Sequence, residues 1–75
     1  MTRPIYAIAR DVTADWRNVS PYAQPYLSAM LRLSSIRDRF YSDDARSIVL
    51  YFLSNAAGWR GETAKRLKAE LRALL

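Results

Sequence analysis

"SNAAGWRGETAKRLKAEL", residues 54–71, joins a run of small residues to a corner flanked by two glycines and then to a basic stretch. Its reading decides the fold, because two helical patterns of different character meet across it. Upstream, Ile48, Val49, Leu50, Phe52, Leu53, Ala56 and Ala57 cover about 200° of a helix and leave a narrow polar strip of Ser47, Tyr51, Ser54 and Asn55. Such a helix needs contacts on more than one side, either as the centre of a bundle or as both core and self-association surface. Downstream, Ala64, Leu67, Leu71, Leu74 and Leu75 define an apolar stripe, while Lys65, Lys68 and Arg72 collect within about 60° on one flank. Extending that helix backward would put Arg60 on the stripe, so it begins at Gly61 or Glu62. Arg66 and Glu70, four residues apart on the other flank, form an expected exposed ion pair of little weight.

Working outward, Ser42 is a capping residue for the upstream helix, Asp43 and Asp44 complement its dipole, and Gly58 is its stop signal. Adjacent carboxylates on a first turn point about 100° apart, so capping outranks metal binding or acid-base work for this pair. Residues 34–41, "SSIRDRFY", read as irregular or a short helical turn, with Ile36 and Phe40 spaced to enter the core. Before them, Tyr26, Ala29, Met30 and Leu33 share a face widened by Leu27 and Leu31. Ser20 is suited to cap a turn opening at Pro21, and the regular helix follows at Pro25. The first helix opens at Pro4 with Thr2 as a cap; Ile5, Ile8, Ala9, Val12 and Trp16 fall within an arc of about 100°. Arg10 and Arg17 lie opposite that stripe, and Asp11 and Asp15 form an acidic pair one turn apart, both read as solvated. No stretch alternates as a half-buried strand does. The expectation is an all-α chain: one domain over residues 1–75, a compact bundle of four helices at about 4–17, 25–34, 43–57 and 61–74.

The chain holds 75 residues, near the lower limit for a core without staples. Cysteine and histidine are both absent, which removes disulfides, thiolate nucleophiles, imidazole bases and the usual zinc ligands. No cofactor or metal is expected, and no catalytic residue. The longest apolar run, Ile48 to Leu53, falls far short of the roughly 20 residues of a membrane span, and Arg10 and Asp11 interrupt any leader-like segment early. The chain reads as cytoplasmic, with no membrane contact. Its net charge of +5 is concentrated at the C-terminal end, where residues 59–75 carry five cations and two acids. A field of that sign favours nucleic acid or an acidic protein surface, although an Arg-rich composition also simply solubilises a small helical protein.

The stretch around Gly58 resembles a helix-turn-helix: Ser54 four residues before the turn glycine, then Ala64 and Leu67 where a second helix packs on the first. That resemblance implies a second helix in a major groove, with Arg60, Glu62, Thr63, Lys65 and Arg66 early on it and Lys68 and Arg72 at the backbone. Trp59 stands where a polar residue is usual and Gly61 adds a second flexible point, both departures from the motif. Trp59 has two readings, a cap wedged over the bundle or an exposed anchor for a partner. "GWRGETAK" is no phosphate loop, since it lacks the Gly-Lys-Ser/Thr run and a preceding strand.

Asp15-Trp16, Ala23, Pro25-Tyr26-Leu27, Ala29-Met30, "VLYFLSNA" from Val49 and "WRGETAKRLKAEL" from Trp59 give the whole chain a wider likeness. It resembles short proteins encoded by bacterial prophages and integrative elements. The resemblance carries no activity, but it implies mobile-element biology, either regulation of DNA or inhibition of host defence. The expectation is a non-enzymatic binding protein that contacts nucleic acid or a nucleoprotein through Arg60, Lys65, Arg66, Lys68 and Arg72. Its competitor is a protein-protein inhibitor of a host defence or regulatory complex, anti-CRISPR-like, or a small assembly factor. That alternative uses Trp59, exposed tyrosines and the apolar excess of the third helix. The same apolar excess makes a homodimer an expectation as well.

Overall fold

The computed structural model describes residues 2–75 and shows four helices with one short β-ladder. In chain order these are α1 (Ile5–Asp15), α2 (Gln24–Met30), β1 (Arg39–Phe40), β2 (Asp43–Asp44), α3 (Ala45–Ser54) and α4 (Glu62–Leu74). α4 packs along α1 and α3 along α2, while α1 also meets α2, so the helices form two packed pairs around one core. Nineteen apolar residues make up that core, with Phe52, Ile5, Ile8 and Leu27 among its largest fully buried side chains. Among the described residues no helix is long and apolar enough to cross a membrane.

The four-helix reading holds at the level of element number and order, and each helix is shorter than its sequence pattern. α1 starts after Pro4 without any side-chain cap, so Thr2 does not cap it. Its first free N–H groups, on Ile5 and Tyr6, instead donate to the carbonyls of Ser34 and Leu33 at 3.0 and 2.8 Å. That docking explains the early end of α2: the chain leaves the helix at Met30 and turns, which brings the Leu33 and Ser34 carbonyls to an otherwise unpaired helix end. Trp16 lies just beyond α1 in extended conformation and is still buried in the core.

The all-α expectation needs one correction. Arg39 pairs with Asp44 and Phe40 with Asp43 in an antiparallel ladder, turned by Tyr41 and Ser42, with Tyr41 at φ 59°. Two residues per strand are too few for an alternating pattern to register. The ladder also moves the start of α3. Asp44, not Ser42, is the N-cap, its carboxylate accepting from the Ser47 N–H at 2.7 Å, and Asp43 stays in the strand. At the other end α3 stops at Ser54, well before Gly58. Asn55 Nδ2 donates to the Tyr51 carbonyl at 2.8 Å and Ser54 Oγ to the Leu50 carbonyl at 2.9 Å, so both side chains bond back onto the last helical turn, and beyond it the Ala56 N–H turns to the Leu53 carbonyl, three residues back, at 3.3 Å.

Seven residues, 55–61, connect α3 to α4, against the three or four of a helix-turn-helix. The two helices also take different packing partners, so the geometry lends that resemblance no support. Gly61, at φ 111° and ψ 176°, is the N-cap of α4 and occupies a backbone region closed to other residues, whereas Gly58 has an ordinary φ.

Candidate functional site

Trp59 organises the corner before α4. Its indole stacks on Trp16, with centroids 5.7 Å apart and planes 7° from parallel, and meets Phe52 edge-on at 6.3 Å. The Nε1–H donates to Asp15 Oδ2 at 2.8 Å. One side chain thus joins the end of α1, the last turns of α3 and the start of α4. At 3 % exposure its side chain is part of a structural corner and not the exposed anchor for a partner. Asp15 is accordingly a hydrogen-bond acceptor for this corner and not merely a solvated charge.

Lys68 completes the corner from α4. Its Nζ donates to the Trp59 carbonyl at 2.7 Å and lies 5.7 Å from the centre of the indole ring. Partial burial lowers its pKa below the ordinary lysine value, and the charges of Arg72 and Arg60 lower it further. Lys68 is therefore close enough to both arginines to feel their charge. Lys65, one turn before Lys68, lines a cleft of about 520 Å³ together with Trp59, Arg60, Gly61, Glu62, Ala64 and Lys68. Arg60, Lys65 and Arg72 are exposed. The structure thus brings together Arg60, Lys65, Lys68 and Arg72 and separates Arg66 from them. Arg66 is exposed on the α1 side of α4, beside Asp11, Ala14, Asp15 and Thr63.

The expected Arg66 and Glu70 ion pair is not formed. Glu70 is taken by Arg3, whose Nε and Nη2 each donate to one carboxylate oxygen at 2.8 Å, while Arg3 Nη1 donates to Asp11 at 2.7 Å. The guanidinium holds the Glu70 carboxyl below the usual carboxylate range, and the two acids in turn raise the pKa of Arg3. A two-toothed contact fixes both oxygens at once, which a flexible neighbour on the same helix does not match. Arg3 precedes α1, outside any helical period, and so left no mark in the sequence pattern.

Two further acids are similarly occupied. Asp38 accepts from the Ser34 and Ser35 N–H groups at 2.8 and 3.0 Å, and Asp44 caps α3; these bonds hold both carboxyls below their ordinary range. Five of the seven acids thus serve internal contacts, leaving Asp43 and Glu62. Among the described residues only Arg3 of the cations makes an ion pair. The positive charge of the molecule is therefore presented outward. Comparison with known proteins finds no family model, no curated protein and no solved structure that matches the chain.

Proposed function

We propose that this is a small non-enzymatic binding protein whose basic corner contacts the phosphate backbone of nucleic acid, alone or within a nucleoprotein. Arg60, Lys65 and Arg72 supply the outward charge, Lys68 forms the floor, and Arg66 lies outside the contact. The observation that carries this reading is the gathering of Arg60, Lys65 and Lys68 around one cleft that also holds Glu62, with Arg72 beside Lys68, while five of the seven acids are bound elsewhere. Phosphate contacts need density of positive charge and no fixed register, so the reading stands without helix insertion into a groove. It accords with the mobile-element resemblance of the sequence. Fluorescence anisotropy on a labelled duplex tests it: Lys65→Ala and Arg72→Ala should each weaken binding several-fold, and Arg32→Ala, in the exposed turn after α2 and outside the basic cleft, should not. Equal effects from all three substitutions would sink the assignment.

A further inference from the structure

The α2 and α3 side of the molecule presents a second surface of different chemistry. The N–H groups of Ala23 and Gln24 both donate to the Ser20 carbonyl, at 3.0 and 2.9 Å, so the turn before α2 already winds helically. Tyr22 and Tyr26, four residues apart, therefore share a side. Tyr26 packs on Tyr51 of α3 with ring centroids 5.5 Å apart. Around the outside of α3, at about 100° per residue, Leu50, Ser54, Ser47 and Tyr51 follow one another over about 100°. Tyr22 is 76 % exposed, Tyr51 54 % and Leu50 42 %. At about 200 Å² for a whole tyrosine, this exposed ground, hydroxyls included, amounts to roughly 350 Å². That is close to half of the ~800 Å² per partner of a standard interface, whose remainder is a polar rim.

The charge pattern selects the occupant. α2 contains no charged residue, and in α3 the one charged side chain, Arg46, donates to the Leu75 carbonyl at 2.6 Å. A nucleic acid needs cations along the strand, and an acidic protein needs several at the rim; the tyrosine face offers none along it and at its edge only Arg46, tied to the Leu75 carbonyl. Two copies of a chain of net charge +5 repel wherever their cations meet, so the uncharged face is where they approach at least cost. Tyrosine edges flanked by serine hydroxyls are also complementary to themselves across a two-fold axis. We propose that Tyr22, Tyr26, Leu50 and Tyr51 form a self-association surface on which a second copy of this chain docks.

Sedimentation equilibrium over a concentration series at high salt tests this. The expected result is a mass rising from 8.6 kDa toward twice that value. Tyr51→Arg, which sets like charges face to face, should raise the dissociation constant at least tenfold with the helical circular dichroism unchanged. Tyr51→Phe and Lys65→Ala should leave it as it is. A monomer at every concentration overturns the proposal, and so does a dimer that Tyr51→Arg leaves intact, which would place the contact elsewhere. Neither outcome bears on nucleic-acid binding, which is read on a different face.

Discussion

At the scale of single residues, Trp59 is the position on which stability depends most. It is buried against Trp16 and Phe52 and bonded to Asp15, so Trp59→Ala removes a large packed ring and leaves a cavity. Such truncations cost about 3–5 kcal/mol, a large share of the stability of a domain this small. Chemical denaturation should show a midpoint near zero denaturant, or no folded baseline at all. Trp59→Phe keeps an aromatic ring in the corner and loses the hydrogen bond, so its loss should be nearer about 1–2 kcal/mol. The sequence left two roles open for this residue, since an aromatic between glycines fits either a cap or an anchor. What separates them is Asp15 and Trp16, forty-odd positions earlier, and no local pattern reports a contact of that span.

The Arg3 contact with Glu70 and Asp11 belongs to the same scale and sets an acid response. Glu70 titrates near 4.5 when unperturbed and lower in the folded chain, where Arg3 stabilises its charged form. A depressed carboxyl contributes stability that is complete above the unfolded value and lost as pH falls through the folded one. Asp38 and Asp44 are shifted in the same direction from 3.8, so Glu70 begins to act below about pH 4.5 and the two aspartates join it below about 3.8. Glu70→Gln should cost about 1 kcal/mol at neutral pH, given that both partners are partly exposed, and should make the fall in stability with acid shallower. Thermal melts from pH 7 to 3 check both points; an unchanged acid limb would show that the contact contributes nothing.

At the scale of elements, the two glycines of the corner are not equivalent. Gly61 sits at φ 111° and Gly58 does not, while a methyl group at either would meet nothing within 4 Å. Gly61→Ala should therefore cost about 1–3 kcal/mol through the backbone alone, and Gly58→Ala should be neutral or stabilise by up to about 1 kcal/mol. Equal losses at the two positions would contradict the turn described above. Helix number and order were legible in the apolar periods, and α4 most of all, because its stripe is uninterrupted from Ala64 to Leu74. Helix ends were not. α2 and α3 stop at residues without glycine or proline, α2 where Leu33 and Ser34 dock on the start of α1 and α3 where the bonding tightens from Asn55 to Ala56. The two-residue ladder escaped for the same reason, its pairing being set by a turn and not by a pattern.

At the scale of the whole molecule, the distribution of charge is the functional statement. Helical spacing placed Lys65, Lys68 and Arg72 on one flank, and the fold adds Arg60 to them, sets Arg66 on the α1 side and assigns most acids to internal work. The proposed consequences are a basic corner for phosphates and an uncharged tyrosine face for a second copy of the chain. The salt dependence of duplex binding tests the first, central claim most directly. With about three phosphate contacts, the logarithm of the association constant should fall against the logarithm of salt with a slope near −2.7, roughly a 40-fold loss between 50 and 200 mM. Lys65→Ala should make that slope shallower by about 1. No binding at 50 mM salt, or binding that salt leaves unchanged, would contradict the account.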